Sequence, residues 1–168
     1  PMPVARAMPN TSSSIGLGAT GLSYSPDAGE PAKRMARQLF AAIGVVREVD
    51  ESLLDIVTGL SGSGPAYFYY VVEALIGAGI AGGLDEETSR QLACQTILGA
   101  AEMLRQTGEK PETLRRNVTS PGGTTEAAIQ LMEEAGVGGA IRRAVLRAAE
   151  RAAEMGAEIE AEIGRETG

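Results

Sequence analysis

The stretch "LDEETSRQLACQTILGAAEMLRQTG", residues 84–108, decides the fold class. Asp85 stands where an N-cap accepts backbone N–H groups. Glu86 and Glu87 put negative charge in the first turn, where the helix dipole favours it. Gly108 ends the pattern as a C-cap glycine does. Between these ends, Leu92, Thr96, Gly99 and Met103 share one face, and Ala93, Ile97, Ala100 and Leu104 share the next. A helix that is apolar over two faces has to be covered on both. Cys94 lies within this pattern and is expected to be a buried core thiol.

Similar patterns continue in both directions. Residues 66–84, "AYFYYVVEALIGAGIAGGL", are apolar on every face and carry one charge, Glu73. Pro65 opens this helix after "SGSG", in the first turn where its missing N–H costs nothing. A membrane span would want about 20 apolar residues and would suffer from a mid-span Glu without basic flanks. A helix enclosed by other helices, including those of a partner subunit, is the better reading. A short helix is expected from Pro111 to Asn117, a further one over 124–135 ending at Gly136, and a last one over 139–163. Ile141, Val145, Ala148, Ala152 and Met155 form a stripe on the last helix, and the acidic residues 154–168 are expected to fray.

Towards the N-terminus, residues 28–43 carry Met35, Leu39 and Ile43 at helical spacing, with Gly44 as C-cap. "VVREV", 45–49, reads as a short strand, and Asp50 as a cap for "ESLLDIVTGL". Residues 1–26 have no helical period. "PVARAM" reads as one short strand, and "PNTSSSIGLGATGLSYSP" is rich in turn formers. From Asp27 onward the chain is therefore read as helical, with more apolar face than one bundle needs. A core shared between two chains is the natural way to cover it.

Composition narrows the chemistry. The 168 residues carry a formal net charge of −7 and no basic run, which disfavours nucleic acid and anionic membranes. Glycine accounts for 22 residues, roughly twice the average usage of about 7%, with no Gly-X-Y period. There is no histidine, so the commonest general base and metal ligand are missing. The single cysteine excludes an internal disulfide and suits a reducing cytoplasm. No metal site is expected.

Three glycine motifs remain. "GLGATG", 16–21, matches G-x-G-x-x-G, but the pattern shows no preceding strand and no helix opening at Gly21. It is read as a loop with positive-φ positions rather than a dinucleotide motif. "GLSGSGPAYF", 59–68, is either a flexible turn with Ser63 as N-cap or a place where glycines admit another backbone or a ligand. "VTSPGGTTEAAI", 118–129, is either a capped turn or an anion cradle. Pro121 fixes one φ, Gly122 and Gly123 allow backbone N–H groups to converge, and a helix N-terminus points into the same space. Ser120, Thr124 and Thr125 add hydroxyl donors. No lysine follows, so a small carboxylate fits better than a triphosphate. Without histidine or a carboxylate dyad, a cofactor-borne reaction such as reduction of an imine is the chemistry left.

"RAMPNT", "TGLSGSGPAY" and "VTSPGGTT" occur here in the order and spacing of pyrroline-5-carboxylate reductase, and the chain resembles that family over about residues 4–150. The resemblance implies NADPH- or NADH-dependent reduction of a C=N bond, Δ1-pyrroline-5-carboxylate to L-proline, the last step of proline biosynthesis, in the cytoplasm. It implies a mainly α fold: a helical dimerisation and substrate-binding domain of the 6-phosphogluconate-dehydrogenase C-terminal-like type at 27–168. Residues 1–26 would be the end of an α/β Rossmann cofactor domain. It implies a homodimer, commonly assembled into decamers. Ser120, Gly122, Gly123 and Thr124 would surround the substrate carboxylate, Thr125 would be the catalytic hydroxyl near the ring nitrogen, and Met8, Pro9 and Asn10 would border the nicotinamide. Ser12 stands where the family usually has proline. The family's dinucleotide motif would lie upstream of Pro1, so the 168 residues alone are expected to be inactive. The alternatives are a helical homodimerisation module, a carboxylate sensor without catalysis, or a reductase of a related imine or keto acid.

Overall fold

The computed structural model describes residues 2–166. They divide into two compact units, residues 1–66 with 141–168 and residues 67–140.

The first unit is built on a three-stranded sheet ordered β1 (Ala5–Met8), β2 (Gly18–Tyr24), β3 (Gly44–Glu48). Strands β1 and β2 pair antiparallel, with Ala5 opposite Tyr24 and Met8 opposite Gly21. Strands β2 and β3 pair parallel, with Gly18 beside Gly44 and Leu22 beside Glu48. Helix α1 (Glu30–Ala41) makes the crossover between them. A parallel pair needs such a connection, so 18–48 is a βαβ unit.

This corrects the reading of "GLGATG" as a loop. Only Gly16 has positive φ, and from Gly18 the motif is the central strand. The glycines open a strand instead of joining a strand to a helix, so the pyrophosphate geometry is lacking for a different reason than expected. Gly and Ala are poor strand formers, but β2 is covered on both faces. A Cβ on Gly21 would lie 2.8 Å from Val57 Cγ1. Leu22, on the opposite face, is completely buried. Arg37 of α1 bonds Glu48 at the end of β3 at 2.6 Å and also pairs with Glu30. It holds the Glu48 carboxyl below the usual range.

A 3-10 turn (Glu51–Leu53), helix α2 (Leu54–Val57) and a π-helical turn (Thr58–Gly62) follow. Asp50 flanks this segment, but its side chain makes no capping bond. Gly59 packs against the backbone of helix α7 (Val137–Glu166), where an added Cβ would collide with the Val145 carbonyl oxygen. The helix runs through the acidic stretch expected to fray, as far as Glu166. Arg147 and Arg151 explain this. They bond Glu154 and Glu158 across successive turns. Residues 167 and 168 lie outside the described residues.

Helix α3 (Gly64–Ala81) begins in the first unit, and its remainder belongs to the second with α4 (Glu86–Thr107), α5 (Pro111–Asn117) and α6 (Thr124–Glu134). Asp85 caps α4 as expected, accepting the Thr88 N–H at 2.9 Å, and Gly108 closes it in the left-handed region. Only Ser89 and Ala93 are buried among the described residues of this unit. Phe68, Tyr70, Leu92 and Leu98 are all more than half exposed. Cys94 is exposed as well, against the expectation of a buried thiol. The sequence pattern marked faces that require a cover, and one chain does not supply it. Among the described residues no helix is long and apolar enough to cross a membrane.

Candidate functional site

The stretch expected to form an anion cradle is the turn between α5 and α6. Gly123 N–H donates to the Ser120 carbonyl at 3.0 Å, closing a four-residue turn with Pro121 and Gly122 at its centre. Gly122 has φ +70°. Proline second and a left-handed glycine third is the pattern of a type II turn, which strongly selects glycine there. Gly123 then sits at the N-cap in extended conformation without a side-chain cap. A Cβ at that position would displace the Ser120 hydroxyl and press on the Ser120 carbonyl oxygen at 3.0 Å, so glycine at 122 serves conformation and glycine at 123 leaves Ser120 in place.

The first N–H groups of a helix have no partner within it. In α6 these are the amides of Thr124, Thr125 and Glu126; the first intrahelical bond runs from the Ala127 N–H to the Gly123 carbonyl at 3.2 Å. They lie beside the hydroxyls of Ser120, Thr124 and Thr125. Ser120 and Thr124 are exposed and Thr125 is half-buried. Gly122 N–H is already used: it donates to Glu126 Oε2 at 2.8 Å. Gly122 is therefore a shaping residue, while the free donors begin at Thr124. Arg115 pairs with Glu133 at 3.4 Å and ties α5 to α6 across the turn. The arrangement can hold a small anion by amides and hydroxyls. Among the described residues no cluster of acidic, Cys or His side chains could hold a metal.

The second candidate region lies in the first unit. Met8, Pro9 and Asn10 end β1 and are half-buried. Asn10 Nδ2 donates to the Ser61 carbonyl at 3.0 Å, and its Oδ1 accepts the Ala19 N–H at 3.2 Å. The Met8 terminal methyl lies 2.5 Å from where a Cβ on Gly62 would stand. "GLSGSG" is thus ordered, and its glycines admit neighbouring groups, the α7 backbone at Gly59 and Met8 at Gly62.

Residues 51–155 match the family described as pyrroline-5-carboxylate reductase dimerisation. The chain belongs to the pyrroline-5-carboxylate reductase family. It is 49% identical over 142 residues to pyrroline-5-carboxylate reductase 1 of Bacillus subtilis, covering 84% of this chain and 48% of the relative. It is 45% identical over 139 residues to the pyrroline-5-carboxylate reductase of Glycine max, covering 83% and 51%. The chain spans about half the length of these curated relatives. Among solved structures, a pyrroline-5-carboxylate reductase from Coxiella burnetii superposes with TM-score 0.87 at 42% identity over 90% of this chain and 57% of that one. A Plasmodium falciparum pyrroline carboxylate reductase with NADP bound gives TM-score 0.86 at 33% identity, covering 92% and 61%. The matched parts of these reductases share the mainly helical fold with its small leading sheet.

The residues taken from the family resemblance fall in two groups. Ser120, Gly122, Gly123, Thr124 and Thr125 are adjacent on the α5–α6 turn of the second unit. Met8, Pro9 and Asn10 are adjacent at the end of β1 in the first. The reading of the sequence missed Glu126. Its signal was there: an acid three residues after the N-cap, as in a capping box, reaches back to an amide before the helix.

Proposed function

We propose that the chain is part of an NAD(P)H-dependent oxidoreductase that reduces Δ1-pyrroline-5-carboxylate to L-proline in the cytoplasm. The observation that carries this is the turn at 120–125 in a chain of this family: it sets the amides of Thr124, Thr125 and Glu126, which have no partner within α6, beside three hydroxyl side chains, a donor set suited to one carboxylate. The free amides of Thr124 and Thr125 and the Ser120 hydroxyl hold the substrate carboxylate. Gly122 and Gly123 give the turn its shape. Thr125 keeps its hydroxyl near the ring nitrogen, where it holds the proton of the imine. A cradle that fixes one end of a small ring restricts its orientation, and orientation is a large part of what such a reaction asks of the protein.

The nicotinamide cofactor supplies the reducing electrons when bound. The described residues fit it only in part. No glycine-rich turn joins a strand to a helix N-terminus, so nothing here holds a pyrophosphate. Met8, Pro9 and Asn10 would border the nicotinamide end. Residues 1–26 belong to the end of the cofactor domain in this reading, which α1 and β3 continue because they complete its sheet. The helical domain for dimerisation and substrate binding follows, matching the dimerisation family over 51–155. The exposed apolar faces of α3, α4, α6 and α7 support a homodimer, with assembly into a decamer as the further step.

The test is NADPH oxidation with pyrroline-5-carboxylate by the protein expressed from its intact reading frame. Turnover that falls in Ser120→Ala and Thr125→Ala supports the assignment. A folded protein without turnover sinks it and leaves a dimerisation module or a carboxylate sensor.

A further inference from the structure

Pro65 removes a hydrogen bond that the helix would otherwise make. In a continuous α-helix the Ser61 carbonyl accepts from the N–H of residue 65, and proline has none. The chain widens at this point into a π-helical turn, in which the Ser63 N–H reaches the Thr58 carbonyl at 2.8 Å. The Ala66 N–H goes to the Ser63 carbonyl at 3.0 Å, so it does not serve Ser61 either. The carbonyl left over is the one that accepts Asn10 Nδ2 at 3.0 Å. The other end of the same amide accepts the Ala19 N–H at 3.2 Å.

We propose that Asn10 is a positioning residue: its side chain stands in for the N–H missing at Pro65 and clamps the "SGSG" turn to the ends of β1 and β2. Asn10 adjoins Met8 and Pro9, and Met8 rests on Gly62 of the same turn. The clamp thus fixes the Met8–Pro9 segment from two sides. An amide meets the need because it donates from one atom and accepts at another, and asparagine is the shorter of the two amide side chains. Aspartate at position 10 would keep the acceptor for Ala19 and set a carboxylate against the Ser61 carbonyl. π-turns within helices are often found at functional sites. The inference rests on the reductase reading for its kinetic consequence and differs from it in role, since Asn10 acts through the turn rather than as a cofactor ligand.

The test uses the protein from its intact reading frame, with NADPH and pyrroline-5-carboxylate. Asn10→Ala and Asn10→Asp are each expected to lower kcat roughly tenfold or more, as displaced positioning groups do. The NADPH dissociation constant, followed by fluorescence, is expected to stay within about twofold of wild type. Pro65→Ala, which restores an N–H in register with the Ser61 carbonyl, is expected to recover part of the lost kcat in the Asn10→Ala background. An unchanged kcat in Asn10→Asp overturns the Ser61 arm of the clamp. NADPH binding weakened in parallel with kcat, with no recovery in the double variant, makes Asn10 a direct ligand and overturns the proposal. If the wild-type protein shows no turnover, the reductase reading falls first, and the positioning role falls with it.

Discussion

The two units enclose different amounts of their apolar sequence, although the sheet unit too leaves Met35, Leu39 and Val45 exposed. Around the sheet, a strand written largely in Gly, Ser, Ala and Thr is covered on both faces, with Leu22 fully enclosed. In the helices of residues 67–140, far more apolar sequence leaves only Ser89 and Ala93 buried. Apolar content is therefore no guide to which unit closes its own core. What decides is whether the elements that face each other belong to the same chain. The sheet unit finds its covers in α1 and α2. The helical unit presents Tyr70 at 75%, Leu98 at 59% and Leu131 at 67% exposure. Exposed patches of this kind mark an interface.

The largest expected effects test that contrast. Leu22→Ala should destabilise the protein by about 3–5 kcal/mol, in the range of large-to-small changes at enclosed sites. The loss should not depend on protein concentration in thermal or denaturant melts. Leu98→Glu should instead lower the sedimentation mass, and its effect on the melting temperature should shrink as protein concentration rises. A concentration-independent loss at Leu98 would show that the helices are covered within one chain.

The cradle comes next. Gly123→Val brings a side chain into Ser120 and should abolish the thermal stabilisation given by L-proline. Ser120→Ala removes one donor to a carboxylate and should raise KM for the substrate roughly tenfold. Retained stabilisation in Gly123→Val would move the anion away from this turn.

The smallest effects lie on the exposed side of α4. Asp85→Ala removes a cap and should lower the melting temperature by a few degrees. The Arg105 guanidinium holds the Glu102 carboxyl down to about 2, and hydrogen bonds from Thr88 hold Asp85 low. A depressed carboxyl stabilises the fold above its unfolded pKa and loses that contribution as pH falls through the folded value. Acid titration should therefore weaken α4 between about pH 4.3 and pH 2, and the effect should be screened by salt. A helix signal that is flat over this window would mean these pairs contribute nothing.

Much of the architecture was legible in local chemistry. The limits of α4 followed from Asp85 and Gly108, those of α6 from the glycines at 123 and 136, and β3 from its run of valines. The turn at 120–123 and the start of α6 were legible as well, because a type II turn and a helix N-terminus are both written in short sequence. Strand β2 was not, since its two glycines and an alanine dilute the strand signal of Thr20 and Tyr24, and the cover supplied by α1 and α2 is not written locally. Glu126 was overlooked because its partner is an amide rather than a side chain. The tail from Glu154 looked frayed in a reading by charge alone, whereas arginines one and two turns earlier pair Glu154 and Glu158.

The sequence by itself determined the family, the helical class and the position of the glycine turn that opens α6, because caps, turns and helix termini depend on residues only a few positions apart. Tertiary structure alone decided that "GLGATG" is a strand, that Gly59 lies under the α7 backbone, and that the carbonyl orphaned by Pro65 is met by Asn10. Those outcomes depend on groups brought together from 20 to 90 residues apart, and no local pattern records which distant group will arrive.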